Sequence, residues 1–189
     1  MTAPMQMQQL AAAALPAYTC PPGTKMHILN LGTMNVDEGW LLTGANGSSA
    51  SNPNPPSKRR DLMLIAGLIE HPEMGLILFE TGSAEDVDRR QKAMGPASHR
   101  PLPGHTPGLC IMQVNLPKDG TFIWTTDQFH VRENFEQNQA QGWLLRDHRA
   151  WVASGKFVTR LQRLFRARLI FGHDLETAEG LMREKGVWE

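Results

Sequence analysis

The chain has 189 residues, and its 19 lysines and arginines balance its 19 aspartates and glutamates. This length suits one domain with a sizeable core, and the zero net charge argues against a nucleic-acid partner, because proteins that neutralise phosphates carry a basic excess. Cys20 and Cys110 form no CxxC pair, so neither a disulfide framework nor a thiolate zinc site is expected. The 7 histidines favour a site of imidazoles and carboxylates.

Residues 1–25 are expected to form a lead-in rather than a targeting segment. Their apolar run, residues 10–15, has no preceding lysine or arginine and ends at Pro16. It is also much shorter than the roughly 20 apolar residues of a membrane-spanning helix. We therefore expect no membrane contact, a cytoplasmic location and a single domain over residues 1–189.

Apolar runs of strand length alternate with polar segments. In chain order, these runs occupy residues 26–31, 40–43, 61–69, 75–79, 109–114, 121–125 and 169–171. Residues 44–60 are rich in Gly, Ser, Asn and Pro and predict a loop whose basic end is solvated. Residues 83–95 are polar and compatible with a helix, whereas four prolines in residues 95–108 argue against any regular element there.

The strongest helix signal spans about residues 145–168. Apolar residues such as Trp151, Val158 and Leu161 recur there at helical spacing, and arginines fall on the other side. This pattern predicts a helix that faces the core and exposes a basic face to solvent. Strands, one long helix and a last strand together indicate a layered α+β domain with helices packed on sheets.

Three side chains suited to metal binding lie where an apolar run ends or a Gly/Pro loop turns. His105 lies in Gly-His-Thr-Pro-Gly, Asp127 follows one strand, and His173 follows the last one. Singly, each has an ordinary interpretation: a surface histidine, a carboxylate that caps a turn, or a histidine bonded to a carbonyl. Together they offer the nitrogen and oxygen ligands that zinc accepts, in a site assembled by the fold rather than by one motif.

Five segments identify a resemblance that covers most of the chain from Cys20 to Asp174. They are, in order, TCPPGTKMHIL, GLILFETG, GHTPG, TTDQFHVRENFE and IFGHD. This set resembles the metallo-β-lactamase superfamily and, within it, the N-acyl homoserine lactonases. The resemblance implies an αββα sandwich that holds two adjacent divalent metals, usually zinc, at one edge of its sheets.

The resemblance also assigns roles to individual residues. His105 matches a ligand of the first metal, His173 a ligand of the second, and Asp127 the carboxylate that bridges both. His130 stands where these lactonases often have a tyrosine that supports the substrate carbonyl oxygen, so Asp127 and His130 are the expected catalytic residues. Glu80 replaces the aspartate of an Asp-Thr-Gly turn.

One departure from the family pattern affects the metal site directly. The His-x-His-x-Asp-His segment that supplies the remaining ligands should precede His105, but residues 83–103 contain His99 as their single histidine. This interval therefore reads as the junction of a deletion, and the sandwich is expected to be incomplete. Each zinc would keep two protein ligands, whereas a catalytic zinc normally has three and an open position.

The implied activity is the opening of a small lactone, or of a related cyclic amide (lactam), by a metal-activated water. With its ligand segment missing, the chain is expected to be impaired. Two alternatives stay open: a truncated product without catalytic activity, and a module that binds a small ligand. Loss of part of the sandwich should also expose apolar side chains such as Leu76, Leu78 and Ile111, which predicts a homo-oligomer.

Overall fold

The computed structural model describes residues 18–80, 98–102, 104–106 and 108–189. Its elements are, in chain order, β1 (Lys25–Asp37), α1 (Glu38–Leu41), β2 (Arg59–His71), β3 (Gly75–Phe79), β4 (Ser98–Pro101), β5 (Cys110–Leu116), β6 (Gly120–Thr126), α2 (Arg132–Glu136), α3 (His148–Phe165), β7 (Arg168–Phe171) and α4 (Leu175–Glu184). The helix predicted for residues 83–95 lies outside the described residues.

The strands form two sheets. The first has the order β1-β2-β3 with antiparallel neighbours, and the second has the order β4-β5-β6-β7. Within the second sheet, β4, β5 and β6 are antiparallel, and β7 pairs with β6 in parallel. The parallel pair matters for the site, because the carboxyl ends of β6 and β7 meet at one sheet edge.

The main core lies between the two sheets. Side chains that alternate along β2 and β3, such as Ile65, Ile69 and Phe79, pack against Trp124 of β6 and Ile170 of β7. A second core lies between the second sheet and α3, and it includes Ile111, Ile123, Phe171, Trp151, Val158 and Leu161. The layers are therefore sheet, sheet and helix, in keeping with the predicted α+β sandwich.

Helix α3 follows the predicted apolar spacing, and its ends have clear local causes. The Asp147 side chain accepts a hydrogen bond from the amide of Ala150 at 2.9 Å, so the helix begins after that cap rather than at residue 145. The helix ends at Phe165 because Arg166 takes a left-handed conformation with φ of 50°.

Three sequence expectations about the fold are wrong. Residues 98–101 form strand β4 in spite of the prolines, since an edge strand has one side free of ladder bonds and tolerates Pro101 there. The predicted loop end at Arg60 belongs to β2, where Nη1 of Arg60 donates to Oε1 of Glu133 at 2.7 Å. Ile111 is fully buried, because α3 covers its face of the sheet.

Leu76 and Leu78 are exposed, as predicted. They alternate along β3 with the buried Ile77 and Phe79, so they lie on the outer face of the first sheet. This exposure agrees with an incomplete sandwich. Among the residues that the structure describes, none of the helices combines the length and the apolarity that crossing a membrane demands.

Candidate metal centre

His105 is held by the packing of its loop against α3. Gly104 has a φ of 151°, and a Cβ atom added there would lie 2.6 Å from Cα of Trp151. The carbonyl of Gly104 accepts hydrogen bonds from the amides of Arg146 (3.2 Å) and Asp147 (2.9 Å), just before α3 begins. Only glycine fits this close approach, so a side chain at position 104 would displace the loop that carries His105.

Asp127 and His130 belong to a tight turn at the end of β6. Within this turn, the amide of Gln128 donates to the carbonyl of Thr125 at 3.1 Å, and the amide of Phe129 donates to the carbonyl of Thr126 at 3.3 Å. The turn brings both side chains to one side, with Nε2 of His130 at 3.5 Å from Oδ1 of Asp127.

His173 follows β7 and is fixed to this turn through the backbone. Its amide donates to the carbonyl of His130 at 2.8 Å, and its carbonyl accepts from the amide of Met63 on β2 at 3.2 Å. A Cβ atom on Gly172 would lie 2.5 Å from the carbonyl oxygen of Thr126, so glycine permits the close contact between the ends of β6 and β7.

Three imidazoles converge on the carboxylate of Asp127. Besides His130, Nε2 of His173 lies 3.0 Å from Oδ1 of Asp127, and Nε2 of His105 lies 3.4 Å from Oδ2. Ligands bound to one tetrahedral zinc at about 2.0–2.2 Å lie roughly 3.3–3.6 Å apart. The spacing of these donors therefore suits a metal ion without a change of fold.

In two of these histidines, the outer ring nitrogen, Nδ1, which is not the one facing Asp127, lies next to a hydrogen-bond acceptor. Nδ1 of His173 lies 3.1 Å from the carbonyl oxygen of Met63, and Nδ1 of His105 lies 3.1 Å from Oε1 of Gln141. Metal-binding histidines commonly donate their other N–H to such an acceptor, which leaves the inner nitrogen free to bind. Both predicted ligands thus have the surroundings of metal ligands.

The charges in the cluster are strongly coupled. Burial raises the pKa of Asp127, but the hydrogen bond with His173 and the charges of the nearby imidazoles lower that pKa by more than burial raises it. Asp127 therefore stays ionised. Burial lowers the pKa of His130 to about 4, although the charge of Asp127 opposes this shift. The pKa of His173 is raised, because its hydrogen bond and charge interaction with Asp127 outweigh burial.

The sequence missed one residue that supports the cluster. Gln141 is buried, holds His105, and donates through Nε2 to the carbonyls of Asp127 and of Gln128, the latter at 3.2 Å. It lies in a polar stretch between α2 and α3 that has no periodic pattern, so no sequence signal marks it. His99 lies on β4.

The described chain resembles solved structures, although neither a protein-family model nor a curated protein sequence matches it. An N-acyl homoserine lactone hydrolase, with the product N-hexanoyl-L-homoserine bound at its catalytic metal centre, is 15% identical and has a TM-score of 0.67; the match covers 86% of this chain and 97% of that one. A mutant of AiiA from B. thuringiensis, with N-decanoyl-L-homoserine bound at the active site, is 14% identical with a TM-score of 0.64, over 86% of this chain and 97% of that one.

AidC, a dizinc quorum-quenching lactonase in complex with a product, is 12% identical and has a TM-score of 0.54; the match covers 81% of this chain and 88% of that one. At these identities the likeness concerns the fold. The chain has the fold of these lactonases, which is the metallo-β-lactamase fold, and the fold expected from the sequence is confirmed.

Proposed function

We propose that this chain is a metal-dependent hydrolase that opens a small lactone or a related cyclic amide. The observation that carries the proposal is the convergence of three imidazoles on the carboxylate of Asp127, at the sheet edge where β6 and β7 end. An N-acyl homoserine lactone hydrolase of the same fold holds its product, N-hexanoyl-L-homoserine, at its catalytic metal centre, which supports this substrate class.

The proposed metal is zinc, with His105, Asp127 and His173 as the ligands that the sequence predicts. Nitrogen and carboxylate ligands of this kind suit zinc and similar divalent ions. These residues fit a metal ion because Gln141 and the carbonyl of Met63 contact Nδ1 of His105 and of His173. Those contacts turn the Nε2 atoms of both histidines toward Asp127. When bound, such an ion supplies hydroxide near neutral pH and polarises a carbonyl group.

The residues of the chain supply binding, orientation and charge. Asp127 stays ionised and brings a negative charge to the centre of the cluster. His130 belongs to the same cluster, with Nε2 at 3.5 Å from Oδ1 of Asp127. Gln141 fixes His105 from behind and thus has a positioning role.

We expect turnover below that of a two-metal lactonase. The His-x-His-x-Asp-His segment is missing from the sequence, and its carboxylate would help move a proton to the leaving alkoxide. Asp127 is the carboxylate at the centre of the three imidazoles, and the charge of Glu80 also acts on His173. A cytoplasmic location is part of the same proposal and rests on the sequence.

A ring-opening assay on the purified chain tests the proposal. The chain would be loaded with zinc and given N-hexanoyl homoserine lactone and a simple lactam, with and without a chelator. We expect slow, chelator-sensitive lactone hydrolysis that Asp127→Asn abolishes and that Asp147→Asn, outside the cluster, leaves unchanged. Zinc binding without ring opening would refute the hydrolase and favour a module that binds a small ligand.

A further inference from the structure

His130 is the most deeply buried member of the metal cluster. Its side chain is 4% exposed, compared with 14% for His105 and 21% for His173. A buried imidazole without hydrogen bonds is costly, because both ring nitrogens have lost water. Nε2 of His130 has a long 3.5 Å approach to Oδ1 of Asp127, and Nδ1 has no hydrogen-bond partner among the described residues, so the packing of the protein alone does not account for this side chain.

The position of His130 is central to the cluster. Its ring stacks on that of His173, with centroids 5.7 Å apart and an angle of 18° between the planes. Its ring also meets that of His105 edge to face, with centroids 5.1 Å apart. His130 therefore lies between the two histidines that were predicted to bind separate metals.

Donor atoms of His105, Asp127 and His130 all lie within 4.8 Å of one another. Three such donors meet the usual requirement of a catalytic zinc, which has three protein ligands and an open position. Two ions that shared the four residues of the cluster would have too few ligands each. One ion that used His130 would have enough, and His173 is close enough to Asp127 to complete or to orient the set.

We propose that His130 is a metal ligand and that the centre holds one divalent ion rather than two. This inference rests on the metal site of the proposed function. It replaces the role expected from the sequence, in which His130 donates a hydrogen bond to the substrate. A ligand from the turn after β6 thus takes over part of the task of the missing His-x-His-x-Asp-His segment.

Metal binding itself supplies the test, using cobalt(II) as a spectroscopic probe in place of zinc. The metal-free chain would be titrated with cobalt(II), and the bound metal would be counted by elemental analysis. We expect one ion per chain, and visible absorption bands typical of cobalt(II) with a low coordination number. Two tightly bound ions per chain would overturn the proposal, and so would a chain that binds none.

Two substitutions of His130 separate a ligand from a hydrogen-bond donor. Since loss of an outer partner of a metal ligand already costs about 10–100-fold in affinity, His130→Gln should weaken cobalt binding by about 100-fold or more. His130→Tyr restores the hydrogen-bond donor of the lactonase pattern but removes the imidazole, so it should weaken binding as well. Unchanged affinity and unchanged absorption bands in folded His130→Tyr protein would refute the ligand role.

His148→Ala is the matched control, because His148 is an exposed histidine at the start of α3. It should bind cobalt as the unchanged chain does. Circular dichroism would show whether the variants fold. If the larger tyrosine prevents folding, His130→Gln alone tests the ligand role.

The two proposals fail in different ways. Cobalt binding that depends on His130, without lactone hydrolysis, would refute the proposed function alone. Lactone hydrolysis with a metal that binds equally well without His130 would refute the ligand role alone.

Discussion

Replacing Gly104 by alanine tests how the loop before α3 positions His105. The added Cβ would lie 2.6 Å from Cα and 2.8 Å from Cβ of Trp151, and the residue would have to keep a φ of 151°. Such backbone strain costs about 1–3 kcal/mol, and overpacking of a filled space costs about 1–3 kcal/mol more. We expect the free energy of unfolding to fall by about 2–6 kcal/mol, a large part of the roughly 5–15 kcal/mol of a typical protein.

The same loop offers a matched control. A Cβ atom on Gly108 would meet nothing within 4 Å, so Gly108→Ala should change stability by less than about 1 kcal/mol, in the stabilising direction. Urea unfolding of both variants, followed by tryptophan fluorescence, measures the difference. Cobalt titration should also show weaker binding in Gly104→Ala, because the loop must move away from Trp151. Equal stabilities of the two variants would refute the close-packing argument.

Three further predictions concern other parts of the fold. Asp174→Ala should lower the free energy of unfolding by about 2–4 kcal/mol, because its buried carboxylate caps α4 and accepts the amide of residue 132; a loss no larger than that of the exposed Glu179→Ala would contradict this. Burial raises the pKa of Asp119, but hydrogen bonds from the backbone amide of Glu189 and from Nζ of Lys185 outweigh burial and hold that pKa below its ordinary value. The stabilisation is therefore present above about pH 4 and lost as the pH falls toward the folded-state pKa; Asp119→Asn should flatten the fall of urea stability in that range, and an unchanged slope would count against it. Light scattering should show self-association that Leu76→Lys with Leu78→Lys abolishes, since these side chains are 73% and 49% exposed; a monomeric unchanged chain would disprove this.

The sequence could predict the site residues that end strands. Asp127 and His173 follow apolar runs directly, and parallel pairing brings those two strand ends together. His130 is also marked by the sequence, but its closeness to Asp127 depends on the turn after β6, which residue types alone do not define. Gln141 reaches the site from an irregular segment, so its role depends on tertiary packing.

The missed elements show where local patterns compete. Strand β4 carries Pro101, and only the position of a strand in its sheet decides whether a proline is tolerated. Helix α4 did have a signal, since Asp174 caps it and Ala178 and Leu181 share its buried face. Because that helix is short and mostly polar, a search for apolar runs does not predict it.

The backbone of His173 connects the two sheets. Its amide binds the turn after β6, and its carbonyl binds the amide of Met63 in the other sheet. The amide of Met63, which bonds across the sheets to the carbonyl of His173, is released for hydrogen exchange only when the sheets separate, so its exchange should report global rather than local opening. The His173 side chain is therefore ordered when the chain folds, so metal binding would not have to order it.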